Sequence, residues 1–349
     1  MMNQKKKLGT ASWIAFTYVG TVVGAGFASG QEIMAFFTIY GIKSFWAIMI
    51  SCILFILIGI RILLLGMELR ASSFRKLIDT MFGFLSPFIS IYLLFSMMII
   101  NVAMLAGAGA IFQEFGETSY LIGVASTAFI AIIAIGFGIR GILSINKIVV
   151  LSVLVLLIFA LLITLFTNSP IQKQARFVEI SPIHLITRGI SYASYNLILS
   201  MGVLANLGYE FKDKKVLRLG GLIGGSILGA MLLSIHYCLL EHMPDIFDYE
   251  IPMFYIISNG SWFISVIYAF VIWGAIFTTL LGNLFSVTSF LYDKYRIHHM
   301  VSAIIIVCLG SLLAPLGFSS IINTLYPIIG LIGVAFIIAI LYNTKSRKS

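Results

Sequence analysis

Apolar runs long enough to cross a bilayer recur along the whole 349-residue chain. A helix of about 20 apolar residues spans the hydrocarbon core, where lipid offers no partner to backbone polar groups. The chain is 60% hydrophobic and 10% charged, which lies outside the range of soluble domains. We therefore expect an all-α integral membrane protein that forms one structural unit in the lipid bilayer.

The apolar pattern predicts ten transmembrane spans. They cover residues 9–40, 43–69, 84–113, 118–138, 144–167, 183–208, 216–241, 259–292, 299–316 and 319–343. Ten spans divide into a first five-helix repeat, residues 1–167, and a second, residues 168–349. Because each half has an odd number of spans, the second half is inverted relative to the first, as in many secondary transporters. That plan predicts discontinuous helices in spans 1 and 6.

Positive charge predicts the orientation in the membrane. Of the 22 lysines and arginines, 18 fall on the side that holds both termini. The other side holds only Lys43, Lys173, Arg176 and Arg188. Both termini are therefore expected in the cytoplasm, with the protein in the cell membrane. Since the basic residues are confined to short loops, the net charge of +9 does not indicate a nucleic-acid partner. No obligatory protein partner is predicted.

The first span contains the stretch GTVVGAGFASGQE, residues 20–32, with glycines at 20, 24, 26 and 30. Glycine weakens a helix, so a helix break that lines a cavity is one interpretation. The alternative is an unbroken helix whose small residues allow close packing. In span 6, the polar residues Ser191, Ser194 and Asn196 mark the expected second break.

Span 8 places Ala275, Thr278 and Thr279 on one helix face, because positions i, i+3 and i+4 are neighbours. One carbonyl and two hydroxyl oxygens suit a small alkali cation. The alternative is that both threonines bond back to the preceding turn of their own helix.

These pieces together resemble the sodium-coupled LeuT-like transporters of the amino acid–polyamine–organocation superfamily. Val23-Gly24-Ala25-Gly26 resembles the unwound first helix, and Arg140-Gly141-Ile142 resembles the entry to the fifth helix. The form GAGFASGQE is similar to that of the YkvI-like group of bacterial ten-helix membrane proteins. The resemblance in architecture covers nearly the whole chain, whereas the motif identity is confined to these short segments.

The resemblance implies specific site residues. The sodium ligands would be the carbonyls of Gly20, Val23 and Ala275 and the hydroxyls of Thr278 and Thr279. The backbone N–H groups of Gly24, Ala25 and Gly26 would receive a substrate carboxylate. The match is incomplete at Phe27, where the family's amino-acid transporters have an Asn ligand to a second sodium. It is also incomplete at Gly30, where an outer-gate Arg is expected.

Other polar residues lie within the spans. Glu32 is a candidate for proton coupling, for an outer gate or for binding a cationic substrate; the alternative is a structural pair, for example with Arg188. Asn101, Tyr195 and Asn196 are candidates for the substrate pocket, with helix–helix hydrogen bonding or packing as the alternative. Two outer loops, Asn168–Pro182 and His242–Gly260, are long, and Ile251–Ile257 could form a short helix over the mouth of the pocket.

The sequence therefore predicts a sodium-coupled symporter that moves a small organic solute by alternating access. The solute would be an amino acid or a related carboxylate- or amine-bearing compound. Sodium would be the coupling ion, with no organic cofactor. Two alternatives stay open: a proton-coupled carrier that uses Glu32, and a solute-sensing receptor subunit on a transporter scaffold. The sequence has no HExxH, GxSxG, phosphate-binding or CxxC motif, and an enzyme is not expected.

Overall fold

The computed structural model describes residues 4–70, 74–116, 118–136, 139–166, 177–258 and 261–342, and its regular structure is helical. The helices are α1 (Gln4–Val22), α2 (Ala25–Ala28), α3 (Gln31–Phe36), α4 (Ser44–Glu68), α5 (Phe74–Phe82), α6 (Ser86–Gln113), α7 (Ser119–Ile135), α8 (Ile139–Phe166), α9 (Pro182–Glu210), α10 (Lys214–Glu241), α11 (Pro252–Ser258), α12 (Trp262–Tyr295), α13 (His299–Leu313) and α14 (Phe318–Tyr342). Most of the predicted loop Asn168–Pro182, with Lys173 and Arg176, lies outside the described residues, as do the side chains of Arg140 and Lys147.

Seven of the described helices are long and apolar enough to cross a membrane, by length and composition. They are α4, α6, α8, α10, α12, α13 and α14, and α7 is a shorter apolar helix. The helices α1 and α9 are less apolar. The boundaries of α9 match predicted span 6, whereas predicted span 1, residues 9–40, is divided among α1, α2 and α3. The total of ten spans stays a prediction.

The first span is discontinuous, as the inverted-repeat plan predicts. α1 ends at Val22, and Gly24 adopts an extended conformation before α2 begins. After α2, Gly30 has a φ of 80°, a left-handed conformation that favours glycine. α3 begins directly after it. The stretch therefore contains two interruptions, at 23–24 and at 29–30, rather than the single break expected.

The prediction of a second break in span 6 is wrong. α9 runs as one helix from Pro182 to Glu210. Of the three polar residues expected to mark the break, Ser191 donates its hydroxyl to the carbonyl of Pro327 in α14 over 3.2 Å. The other two bond within the helix: Ser194 Oγ donates to the carbonyl of Ile190 over 2.7 Å, and Asn196 Nδ2 donates to that of Tyr192 over 3.0 Å. Because these side chains bond to their own helix, they do not require it to unwind.

The helices pack in two groups that meet at the broken first span. One group consists of α1, α4, α9 and α10, and the other of α6, α7, α12 and α13, with α14 contacting both α9 and α6. α4 packs closely on α9, where a Cβ on Gly208 would overlap the carbonyl oxygen of Leu63. The broken span reaches both groups, because α1 packs on α10 whereas α2 packs on α12.

α1 and α9 run in opposite directions. The ring of Trp13, at the middle of α1, lies 5.4 Å from that of Phe211, just after the end of α9. Further along the chain, Glu32 in α3 contacts Tyr195, near the middle of α9. An antiparallel pair is what an inverted repeat requires of the first helix of each half.

Candidate functional site

Glu32 lies in the interior, at the point where the broken first span meets α9. Its side chain is 3% exposed and sits in the first turn of α3. The hydroxyl of Tyr195 donates to Oε1 over 3.0 Å, and that of Tyr192 donates to Oε2 over 3.4 Å. Tyr192 and Tyr195 are three residues apart on one face of α9, which is why both reach the same carboxylate.

The second interruption allows the Glu32 side chain to approach the backbone of α2. A Cβ on Gly26 would lie only 2.7 Å from Cγ and from Cδ of Glu32, and nearer still to Oε1. Only glycine leaves room for this contact. The carboxylate is therefore held against α2, in the segment that the resemblance identifies as the substrate-binding backbone.

Glu32 forms no ion pair with a lysine, arginine or histidine among the residues that the structure describes. The suggested structural pair with Arg188 is wrong, because the Arg188 guanidinium instead lies over the ring of Tyr40, 5.7 Å from its centroid. A buried carboxylate without a basic partner is costly, and in a membrane protein it usually marks a functional site.

Further polar groups of α3 and α14 complete this cluster. Gln31 Nε2 donates to Asn323 Oδ1 over 3.4 Å, and the ring of Tyr326, one turn after Asn323, lies 5.0 Å from that of Tyr195. Gln31 Oε1 and the Tyr326 hydroxyl are buried and have no hydrogen-bond partner within the described residues. We call Gln31, Glu32, Tyr192, Tyr195 and Tyr326 the Glu32 cluster.

Sequence reasoning found only part of the cluster. Glu32 and Tyr195 were predicted, whereas Gln31, Tyr192 and Tyr326 were missed. The i, i+3 spacing from Tyr192 to Tyr195 was a usable signal. No local pattern indicates Tyr326, since its position depends on how α14 packs against α9 and α3.

The two predicted pocket asparagines have different surroundings. Asn196 bonds within α9, which satisfies its amide nitrogen and favours the structural interpretation. Asn101, in α6, is 1% exposed, and both polar atoms of its side chain lack a partner within the described residues. No described hydrogen bond joins either asparagine to the Glu32 cluster, and their roles in a pocket stay predictions.

One of the predicted sodium ligands in α12, Thr279, lies close to the first interruption. Val23 lies between α1 and α2, and the position of a Cβ on Gly24 would be 3.4 Å from Thr279 Oγ1 of α12. Thr278 is buried, and its hydroxyl donates to the carbonyl of Ala275 over 3.2 Å. Thr278 therefore bonds back to the preceding turn of its own helix, which is the alternative to a ligand role. The Thr279 hydroxyl instead lies close to Gly24 at the first interruption.

The short helix α11 covers the second interruption, and it falls within one residue of the predicted Ile251–Ile257. The Met253 N–H donates to the carbonyl of Ser29 over 3.0 Å, and Met253 packs against Gly30. From α12, the Tyr268 hydroxyl donates to the carbonyl of Ala28 over 3.1 Å. Glu250, just before α11, accepts a 2.6 Å bond from the N–H of Ser319 at the start of α14.

Comparison with known proteins identifies the family. YkvI, a membrane protein of Bacillus subtilis (strain 168), is 34% identical to this chain over 354 aligned residues, which cover 99% of each. The chain belongs to the YkvI family. A second Bacillus subtilis relative, YyaD, is 25% identical over 324 aligned residues, 93% of this chain and 94% of YyaD. No family model matches the chain. The resemblance of GAGFASGQE to the YkvI-like group is thus confirmed.

Solved structures share the fold. An inward-facing structure of Mhp1 has a TM-score of 0.66 at 13% identity, over 94% of this chain and 75% of Mhp1. MhsT in complex with L-phenylalanine has a TM-score of 0.65 at 16% identity, over 93% of this chain and 87% of MhsT. A manganese transporter of Eremococcus coleocola has a TM-score of 0.56 at 11% identity, over 97% and 79%.

At these identities the structural likeness shows the fold alone. That fold is LeuT-like, as the sequence predicts. The relationship to a membrane protein and the seven apolar helices make this YkvI-family chain a multi-pass membrane protein. YkvI and the compared structures belong to membrane proteins rather than enzymes, in agreement with the prediction.

Proposed function

We propose that this protein is a secondary transporter that moves a small organic solute across the cell membrane by alternating access. Its ten spans would form two inverted five-helix repeats, residues 1–167 and 168–349, with both termini in the cytoplasm. The group of α1, α4, α9 and α10 would rock against the group of α6, α7, α12 and α13. The compared structures support the class of secondary transporter. One is a manganese transporter, and Mhp1 is a nucleobase-cation-symport-1 family transporter.

Coupling to sodium is the second part of the proposal, and the apposition of Thr279 to Gly24 is the observation that carries it. Carbonyl groups of Gly20, Val23 and Ala275 and hydroxyls of Thr278 and Thr279 would provide neutral oxygen ligands, which suit a hard alkali cation. A cation held between the break and α12 would link the two helix groups. Its binding would then favour the arrangement in which the groups are close, which is coupling by differential affinity.

The test is a thermal-stability titration of the purified protein with sodium chloride, against potassium and choline chloride at equal ionic strength. A ligand that binds only the folded state stabilises it by about 2.7 kcal/mol at 100 times its Kd. We expect a sodium-selective rise in Tm that is absent in the Thr278→Ala/Thr279→Ala double variant. Thr288→Ala is the matched control, because Thr288 lies in the same helix and bonds back to Phe285 in the same way.

Equal responses to all three cations, or a sodium response that survives in the double variant, would contradict the sodium site. Transport is tested separately in proteoliposomes that contain the purified protein. Uptake of a stabilising solute should follow an imposed sodium gradient. Sodium-selective binding without any solute flux would favour the solute-sensing receptor over the transporter.

A proton-coupled carrier is the second candidate, because Glu32 is buried without a basic partner among the described residues. In that case a pH gradient alone would drive solute uptake in the absence of sodium, and Glu32→Gln would abolish the effect. Under sodium coupling, the imposed pH gradient would not drive uptake. The same proteoliposomes therefore separate the two candidates.

A further inference from the structure

The unsatisfied groups of the Glu32 cluster are hydrogen-bond acceptors, or can act as acceptors. A carboxylate offers about four acceptor positions, and Glu32 receives two described hydrogen bonds, one of them long at 3.4 Å. Gln31 Oε1 can only accept, and the Tyr326 hydroxyl can accept or donate. A ligand that completes this set must supply several N–H or O–H donors.

The charge of the cluster restricts the ligand further. The resemblance implies that the N–H groups of Gly24, Ala25 and Gly26 receive a substrate carboxylate. However, the Glu32 side chain already packs against Gly26, and no basic residue among the described ones pairs with it. Two carboxylates in contact at a buried site repel each other strongly. When Glu32 is ionised, the group that enters here must therefore oppose its charge.

The surrounding rings identify the kind of cation. The centroids of Tyr195 and Tyr326 are 5.0 Å apart with their planes tilted by 44°, and both side chains are buried. Tyrosine faces beside a carboxylate favour an organic ammonium group. By contrast, one carboxylate with phenol and amide oxygens is a poor donor set for a transition metal. No cluster of three or more His, Cys, Asp or Glu that could bind a metal occurs in the described ranges.

We infer that the Glu32 cluster binds the protonated nitrogen of an organic cation, held by the Glu32 carboxylate, Gln31 Oε1 and the Tyr326 hydroxyl beside the ring of Tyr195. This inference rests on the proposed function and assigns its substrate class. The solute is an amine-bearing compound, and its ammonium group enters the break instead of a carboxylate. Tyr192, which packs edge-on against Phe36 and Phe37 with centroids 5.1 and 5.0 Å apart, is a positioning residue for Glu32.

The test uses probes that match in shape and differ in charge. Benzylammonium chloride, benzyl alcohol and sodium benzoate are titrated into the purified full-length protein at constant sodium, and n-butylammonium is compared with butyrate. The readout is the shift in Tm. We expect both ammonium probes to raise Tm, and the alcohol and the carboxylates to leave it unchanged.

Variants locate the effect. Glu32→Gln should lower the apparent affinity for benzylammonium about 30-fold or more, since truncating a buried charge pair costs at least 2 kcal/mol. Tyr326→Phe removes only the unpartnered hydroxyl and should lower the apparent affinity for benzylammonium about tenfold. Tyr92→Phe is the control, because the Tyr92 hydroxyl also reaches α14, at the carbonyl of Ile329, but lies outside the cluster. It should keep the wild-type affinity.

Three results would overturn the inference: stabilisation by benzoate or butyrate, an ammonium response that is unchanged in both Glu32→Gln and Tyr326→Phe, or no response of the wild type to either ammonium probe. Failure of the proposed function looks different. Ammonium binding without flux in proteoliposomes would leave the inference standing and remove the transporter. Sodium-driven uptake of an anion without ammonium binding would support the transporter and contradict the inference.

Discussion

Gly26 and Glu32 are in contact across the second interruption of the first span. Glu32 lies six residues after Gly26, beyond the turn at Gly30, and its side chain folds back against the α2 backbone. The left-handed turn makes this return possible, and the missing side chain at position 26 provides the space. The position of the Glu32 carboxylate thus depends on two glycines, Gly26 and Gly30.

Gly26→Ala should displace the Glu32 side chain and disrupt its bond to Tyr195. Overpacking of this kind typically costs about 1–3 kcal/mol. We expect a lower Tm and a loss of solute-dependent stabilisation. Gly282→Ala in α12 is the control, because nothing lies within 4 Å of a Cβ there. If the clash with Glu32 is the cause, Glu32→Ala should restore stability to Gly26→Ala, and additive losses in the double variant would contradict this.

The break in the first span could be predicted from sequence because glycine spacing reports backbone freedom directly. The helical path of α9 could not, since Ser194 and Asn196 are equally compatible with an unwound segment and with bonds to their own helix. Tyr326 and Gln31 depend on the packing of α14 against α3, to which no local pattern points. Glu32 was recognised as unusual, but its partners required the tertiary structure.

The contact of Glu250 with α14 should hold the short helix α11 in place over the second interruption. Glu250 accepts the Ser319 N–H at the start of α14, where negative charge is favourable. Removing such a cap costs about 1 kcal/mol, which is about fivefold in an opening equilibrium. Glu250→Ala should therefore raise hydrogen exchange in residues 245–258 about fivefold, and Glu250→Gln should raise it less. Unchanged exchange in this segment would show that α11 is held by other contacts.

The pair of Lys7 and Asp213 predicts a pH dependence of stability. Lys7 Nζ donates to Asp213 Oδ2 over 2.8 Å, and this bond, helped by the N–H groups of Lys215 and Val216, lowers the pKa of the Asp213 carboxyl below its ordinary 3.8. A lowered pKa gives stability that is present above the unfolded-state value and is lost as the pH falls through the folded-state value.

Asp213→Asn keeps a good N-cap for α10 and removes the charge. The wild type should be slightly more stable than this variant at pH 7, and the difference should begin to shrink at about pH 4 and disappear as the pH falls through the lowered pKa of Asp213. Because both side chains are 37% exposed, high salt should also reduce the difference. Thermal unfolding at pH 7 and pH 3.5, at low and high salt, measures this. A difference that is the same at both pH values would rule out the charge as its source.

Close packing of α4 on α9 predicts a strong effect of small substitutions. A Cβ on Gly208 would overlap the carbonyl oxygen of Leu63, and one on Gly66 would overlap that of Ala205. Backbone atoms cannot move aside as a flexible side chain can. Gly208→Ala should therefore lower stability by at least the usual overpacking cost of about 1–3 kcal/mol. Gly282→Ala should be neutral or slightly stabilising, since alanine favours a helix. Thermal unfolding of both variants in the same detergent compares the two.

Thr278 and Thr279 should contribute unequally to cation binding. The Thr278 hydroxyl already donates to the carbonyl of Ala275, whereas Thr279 Oγ1 faces Gly24 at the break. Thr279→Val keeps the shape of the side chain and removes the oxygen, so the sodium-dependent rise in Tm should disappear. Thr279→Ser keeps the oxygen and should retain most of the rise.

Thr278→Val should weaken sodium binding less than Thr279→Val does. The reason is geometric: Thr279 of α12 lies close to Gly24 at the break, and the proposed cation there would bridge the two helix groups. Sodium titrations of the three single variants, with potassium as the reference, give the order of affinities. Equal losses in Thr278→Val and Thr279→Val would mean that the cation contacts both hydroxyls equally, and a larger loss in Thr278→Val would place it away from Gly24.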